Sequence, residues 1–239
     1  MSTLRGHRRL KEYYRKVQGV FQDPFSSYNP VFKADRVFAM IRSEYHPGVS
    51  DAEWRDKVAD ALKVVRLDPD QVLGKYPHQL SGGQLQRMLL ARALLLDIDY
   101  LVADEVISML DASTRIDVLN LLADLKARGM GILFVTHDLA LGNYISDQTV
   151  ILHRGEIVER GVTSKVFADP RHPYTKKLFA SVPQFHKKWD EVEAELRARE
   201  AADTSSQPYH LAEGQAVPSE LVEVTEGHYV QPFHPRAAV

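Results

Sequence analysis

Two short, unbroken apolar runs, Tyr100–Ala103 and Ile132–Val135, bracket a helix-patterned stretch that Asp111 can open and Gly129 can close. Runs this short and continuous read as strands buried on both faces. A strand–helix–strand order makes the two strands parallel neighbours, with the helix as the crossover. The chain is thereby confined to the α/β class. Both runs end in polar groups: Asp104-Glu105 after the first, Thr136-His137-Asp138 after the second. In an open parallel sheet the carboxyl ends of the strands are where ligands sit.

Upstream of the first run stands Leu80-Ser81-Gly82-Gly83-Gln84. Gly82-Gly83 predicts the start of a helix running to about Leu96, with Leu85, Met88, Leu89 and Ala93 turned inward. A helix start with so little side-chain bulk lets backbone N–H groups and the helix dipole approach phosphate oxygens closely. Residues 17–22 predict a strand, followed by a loop from Asp23 to Pro30 rich in Ser, Pro and Asn. Residues 31–76 predict mostly helix. Ser50 and Glu53 have capping-box spacing, Trp54, Val58, Ala61, Leu62 and Val65 share one face, and Asp68-Pro69-Asp70 is expected to end that helix.

Downstream, a helix is expected from about Leu139 to Ile145. A hairpin of Gln148–Leu152 and Glu156–Arg160 is expected to turn at Arg154-Gly155. Thr163–Val182 predicts helix broken at Asp169-Pro170 and His172-Pro173. Residues 186–202 read as a solvated, charged helix. Residues 203–239 read as loosely ordered apart from a strand at Leu221–Val224.

With 239 residues the chain can hold one large domain and an appendage, and its net charge of -2 provides no field to recruit nucleic acid. The basic stretch Arg5–Lys16 reads as a solvated helix face rather than a nucleic-acid platform, because Tyr13 and Tyr14 adjoin each other instead of interleaving with the charges. Cysteine is absent, which excludes disulfides, thiolate metal sites and cysteine nucleophiles. The longest apolar stretch, Met88–Leu96, is interrupted by Arg92 and is too short to cross a bilayer. Membrane association is therefore expected to come through a partner.

Residue types at the strand ends suit phosphate chemistry. Asp104 can hold magnesium through water, and Glu105, pointing elsewhere, can polarise an attacking water. His137, at the end of the adjacent strand, can face a terminal phosphate opposite Glu105. Gln22, after a strand and before a mobile loop, can reach magnesium or the water. Asp111 is a helix N-cap that can also touch a facing subunit.

Taken together, Gln22, LSGGQ at 80–84, LVADE at 101–105, LD at 110–111 and THD at 136–138 resemble the ATP-binding subunit of an ABC transporter over about residues 10–185. The stretch between Gln22 and Ser81 suits the small helical subdomain of a transporter, not the long coiled coil of the DNA-repair relatives. Val20–Pro24, Ser26–Pro30 and His172-Pro173-Tyr174-Thr175 are similar to the oligopeptide/dipeptide (and nickel) importers, as are Leu221–Val224 and Gly227–Val230. The resemblance implies a P-loop NTPase-like parallel sheet with a helical subdomain at about 31–95, a partial ATPase domain over 1–185 and a tail over 186–239. It implies ATP and Mg²⁺ as ligands. Glu105 and His137 would be catalytic, Asp104 and Gln22 would bind metal, and Gln22, Ser81, Gly82, Gly83, Gln84 and Asp111 would bind nucleotide. It further implies head-to-tail pairing with a second ATPase subunit and docking on two transmembrane permease subunits at the cytoplasmic face of the membrane. An external solute-binding protein would act indirectly.

No G-x-x-x-x-G-K-[ST] segment occurs in the sequence. In the family this phosphate loop, the adenine-stacking aromatic and the first strands would precede residue 1. The chain alone is therefore expected neither to bind ATP tightly nor to hydrolyse it, and to be part of a longer subunit. The alternative is a non-hydrolytic module that lends its LSGGQ surface to a competent partner. Val106 stands where relatives usually have Pro, a change expected to be tolerated. Which solute is carried is not legible in these residues.

Overall fold

The computed structural model describes residues 7–108, 110–181, 209–212 and 215–234. The helix expected over 186–202 lies outside the described residues, as do Met109 and the basic residue Arg5. The chain packs as two compact units, Met1–His137 and Asp138–Val239.

The first unit opens with helix α1 (His7–Lys16), which leads directly into strand β1 (Val17–Val20). Helices α2 (Arg36–Tyr45), α3 (Asp51–Val64), the short α4 (Pro69–Val72) and α5 (Gly82–Leu94) follow, then β2 (Tyr100–Asp104), α6 (Ala112–Ala127) and β3 (Gly131–Val135). The three strands form a parallel sheet in the order β1-β2-β3. Val20 pairs with Ala103, and Asp104 with Val135, so the chain leaves all three strands at one edge.

The expected inward faces form. Trp54, Val58, Ala61, Leu62 and Val65 are buried, as are Leu85, Met88, Leu89 and Ala93. Ser50 caps α3 by accepting from the Glu53 amide at 3.3 Å; among the described residues the return bond of the capping box does not form. Helix α3 ends before Asp68-Pro69. Leu67 N–H bonds Leu62 O and Arg66 N–H bonds Lys63 O, both at 2.9 Å, while Arg66 sits at φ 55°. This is a Schellman stop with arginine in the left-handed position. Asp68 then caps α4 instead of ending α3. Gly129, at φ 95°, stops α6 by the same two-bond pattern, as its type predicts.

The sheet departs from expectation on one face. Leu101 and Ala103 are buried, but Tyr100 is 59% and Leu133 61% exposed. Strands are buried on both faces only where helices cover both sides. Among the described residues of this unit, the side carrying Tyr100 and Leu133 lacks that cover.

The second unit holds α7 (Leu139–Ile145), β4 (Gln148–His153), β5 (Glu156–Val162), α8 (Thr163–Ala168), α9 (Pro173–Ala180), β6 (Val222–Thr225) and β7 (His228–Val230). Strands β4 and β5 form the expected hairpin. Its turn residues Arg154 (φ 52°) and Gly155 (φ 85°) both take positive φ, the conformation that matches strand twist in a two-residue turn. The described residues of the tail, 209–212 and 215–234, are more ordered than its composition suggests. Strands β7 and β6 extend the sheet to β4-β5-β7-β6, and Tyr209, His228 and Val230 are buried. The aromatic and β-branched residues scattered among Pro, Gly and Ser supply the apolar surface that average composition hides.

One titrating group links this unit to pH. His172 caps α9, its Nδ1 accepting from Tyr174 N–H at 3.1 Å. Burial, and secondarily His153, lowers its pKa from 6.5 to about 4. The unfolded chain therefore takes up a proton near pH 6.5 that the folded unit refuses until about pH 4. Stability from this group is full above pH 6.5 and is lost as pH falls towards 4. His172→Asn keeps an N-cap acceptor that cannot protonate. Thermal melts of the variant between pH 7 and 4.5 are expected to fall less steeply than those of the native chain.

Candidate functional site

The carboxyl edge of the first unit's sheet collects four of the residues singled out from sequence. Gln22 leaves β1, Asp104 and Glu105 leave β2, and His137 leaves β3, all at the edge defined by the shared register. Gln22 is exposed, and Asp104 is half-buried at the last position of β2.

Glu105 turns sharply out of the strand. Its φ is 48°, a left-handed conformation that costs a non-glycine residue about 1–2 kcal/mol. Its N–H is nevertheless held by Val135 O at 2.9 Å, and Ser108 Oγ donates to its carbonyl at 2.8 Å. The twist sends the Glu105 carboxylate towards β3. There its Oε1 meets His137 Nδ1 at 2.9 Å. A ring that meets the carboxylate through Nδ1 leaves Nε2 free to face a ligand. Strain in a backbone held by its surroundings is common where a side chain must be aimed.

The Asp104 side chain accepts no hydrogen bond among the described residues, and no three acidic or histidine side chains there converge into a closed metal cluster. One unpaired hard carboxylate suits Mg²⁺, which keeps several waters and takes one or two protein carboxylates beside substrate phosphates. Val106 is buried, so its side chain fills core.

Ser81 to Gln84 form a second cluster. Ser81 Oγ accepts from Gln84 N–H at 3.1 Å and Gln84 Oε1 accepts from Ser81 N–H at 2.9 Å, a complete capping box. These side chains close on each other and leave the first-turn N–H groups of α5 bare of bulk. A methyl group on Gly82 would lie 3.7 Å from the Phe25 ring, and one on Gly83 would lie 3.1 Å from Leu110. The α5 start is thus seated between the Gln22 loop and the residue before Asp111.

Asp111 is a strong N-cap. It accepts from Ser113 Oγ at 2.6 Å, Thr114 N–H at 3.0 Å and Thr114 Oγ1 at 2.8 Å, and these bonds hold its carboxyl well below the usual range. Sequence reading missed the residues behind this cluster. Arg87 donates to Gly83 O at 3.2 Å and to Arg66 O at 2.9 Å, fixing the glycine turn from below. Gln86 and Arg92, also on α5, reach the backbone of the Gln22 strand. Their signal was visible: polar side chains inside an apolar helical face must find partners.

Residues 2–108 match the family model for the ABC transporter, and residues 158–210 match that for the oligopeptide/dipeptide transporter, C-terminal region. The oligopeptide transport ATP-binding protein OppF of Bacillus subtilis (strain 168) is 34% identical over 227 residues, covering 95% of this chain and 72% of that protein. The chain belongs to the ABC transporter ATPase family. OppF of Streptococcus mutans is 38% identical over 232 residues, with 96% of this chain and 71% of that protein covered. OppF of Salmonella typhimurium is 39% identical over 174 residues, covering 72% of this chain, and the match spans about half, 52%, of that protein. Among solved structures, the ATP-binding cassette MJ0796, in a dimeric post-hydrolysis state bound to ADP and Pi, superposes with a TM-score of 0.60 at 28% identity. That match covers 67% of this chain and 68% of the cassette. The ABC ATPase fold, and the nucleotide binding that such a domain implies, follow from these matches.

Proposed function

We propose that this chain is part of an ATP-hydrolysing subunit that energises the import of oligopeptides or dipeptides across the cytoplasmic membrane, lying on its cytoplasmic face. The observation that carries the proposal is the Glu105–His137 contact of 2.9 Å at the same sheet edge as Asp104. Phosphoryl transfer asks a protein mainly for positioning and charge stabilisation. Glu105 holds and polarises the attacking water, while His137 orients that carboxylate and presents Nε2 to the terminal phosphate. Asp104 and Gln22 are the residues that would hold Mg²⁺, which when bound spreads the charge of the phosphate oxygens. The N–H groups of Gly82 and Gly83, which the Ser81–Gln84 capping box leaves without side-chain partners, bind the phosphates of nucleotide held on a second ATPase subunit, with Asp111 touching the facing chain.

Exposed apolar side chains on and beside the Gln22 loop, Phe21, Phe25, Val31 and Phe32, offer a docking surface for two membrane-spanning permease subunits, which an external solute-binding protein would serve. Residues 1–185 would form a partial ATPase domain with its helical subdomain at about 31–95, and residues 186–239 the importer-type tail. No helix among the described residues is long and apolar enough to cross a membrane.

The reading is tested by uptake. Deleting the coding segment is expected to abolish uptake of a labelled oligopeptide by cells that otherwise import it. Unchanged uptake would overturn the assignment.

The alternative reading is a non-hydrolytic module that lends its Leu80–Gln84 surface to a competent partner. Both readings require the trans contact. Ser81→Arg places bulk and charge in the bare helix start and removes the cap, itself worth about 1 kcal/mol. In the assembled ATPase, loss of the ATP-induced dimer on gel filtration is the expected result, and a normal dimer would count against the contact.

A further inference from the structure

Helix α5 buries two polar side chains on an otherwise apolar face. Gln86 is 1% exposed, and Arg92 is largely buried. Apolar residues there would pack without losing hydration, so each polar group needs a partner. Both partners belong to one backbone segment. Gln86 Nε2 donates to Phe21 O at 3.1 Å, and Arg92 donates to Gly19 O at 2.9 Å.

The pattern follows from the sheet. Among the described residues, strand β1 is an outer strand with β2 as its one neighbour. Alternate residues of such a strand turn their N–H and C=O groups away from that neighbour. Gly19 and Phe21, two apart, are on that outer side, and both are taken by α5. Phe21 immediately precedes Gln22. Further along the loop, Tyr28 Oη lies 3.4 Å from Leu85 O of the same helix. Burial pushes the Tyr28 hydroxyl pKa up and the Arg92 guanidinium pKa down, so the contact zone is desolvated. The loop is held before and after Gln22 by one helix, and a methyl group added to Gly82 at the start of that helix would lie 3.7 Å from the loop residue Phe25.

We propose that Gln86 and Arg92 are positioning residues that tie the Gln22 loop to α5, so that Gln22 and the Ser81–Gln84 helix start are displaced as one body. Only the purpose of the tie rests on the ATPase reading; the tie itself needs no nucleotide. A nucleotide-bound shift at either segment is passed to the other through two side-chain bonds.

The chain has no cysteine, so Ser27→Cys and His78→Cys give a unique pair of spin-label sites, one on the loop and one just before α5. The label distance is expected to be narrow in the otherwise native chain and broad in the Gln86→Leu/Arg92→Gln double variant. Arg92→Lys, which keeps a cationic donor, is expected to restore the narrow distribution. Amides of residues 21–28 are expected to exchange about fivefold faster for each bond lost, the scale of one net hydrogen bond, while α3 amides keep their native rates. Ser81→Ala loosens the helix start. It should speed loop exchange in the native background and add nothing in the double variant, a non-additivity that mere edge capping would not produce. Native label distance and native loop exchange in the double variant overturn the proposal, as do additive effects of Ser81→Ala. If the double variant unfolds, seen as faster α3 exchange, Gln86→Leu alone decides by the same two readouts. None of these measurements involves ATP, so failure of the ATPase reading leaves a separate signature, the unchanged peptide uptake described above.

Discussion

Glu105→Gln in the assembled ATPase is expected to lower ATP turnover about 10²–10⁴-fold, the range over which a positioned general base acts, while nucleotide binding survives. The substitution is nearly isosteric. The residue at 105 keeps its φ of 48° and the amide bond to Val135 O, so the side chain is still aimed at His137. What is lost is the carboxylate that takes charge from the attacking water. Asp104 is untouched, so charge in the metal region does not change. ATP binding should therefore persist, and an ATP-loaded dimer should accumulate because closure is retained and the resetting step is slowed. Turnover by phosphate release and dimer content by gel filtration check the two halves separately. Unchanged turnover removes Glu105 from its role. Weakened ATP binding with parallel loss of turnover would assign it to the metal rather than to the water.

The site was legible in the sequence where its geometry is local. Ser81 and Gln84 close a box over three residues, Asp111 caps its own helix, and Gly129 stops the helix it follows. Each depends on one turn of backbone and on residue types with a strong preference for it. The strand ends were legible for another reason. Parallel neighbours bring their carboxyl ends to one edge, so Asp104, Glu105 and His137 had to meet once the strands were recognised.

What sequence could not supply was non-local or unusual. Arg66 stops α3 in a conformation usually taken by glycine, because Leu67 beyond it is buried and the helix carbonyls are satisfied by the reversal. The apolar run at Tyr100–Ala103 suggested two covered faces, but a strand's own residues cannot report whether a second helical layer exists. Gln86 and Arg92 showed their polarity but not their partners, which lie 65 and 73 residues away. The tail shows the same limit. Averaged composition read residues 203–239 as loose, although among the described ones Tyr209, His228 and Val230 are buried.

Glu159→Ala is expected to destabilise the second unit by about 3–5 kcal/mol, the cost of breaking a buried charged network from one side. Glu159 has no exposed surface and accepts three bonds. Its Oε1 takes Arg171 N–H at 2.9 Å and His228 Nε2 at 2.7 Å, and its Oε2 takes His172 N–H at 2.9 Å. One carboxylate on β5 thus holds the loop leading into α9 and the first residue of β7, elements far apart in the chain. Alanine leaves one buried and two part-buried donors without acceptors, at up to about 1–3 kcal/mol each before relaxation. Glutamine does not rescue, because both oxygens accept and an amide nitrogen must then oppose an N–H. Since whole domains have only about 5–15 kcal/mol of stability, the variant unit should unfold at much lower urea concentration. His228→Ala removes one of the three bonds and should cost less. The double variant should fall short of the sum of the two singles by about 1–3 kcal/mol, as expected for residues that share a bond. A change below about 0.5 kcal/mol for Glu159→Ala, the scale of an ordinary surface substitution, would show that the tail is held by its aromatic packing rather than by this carboxylate.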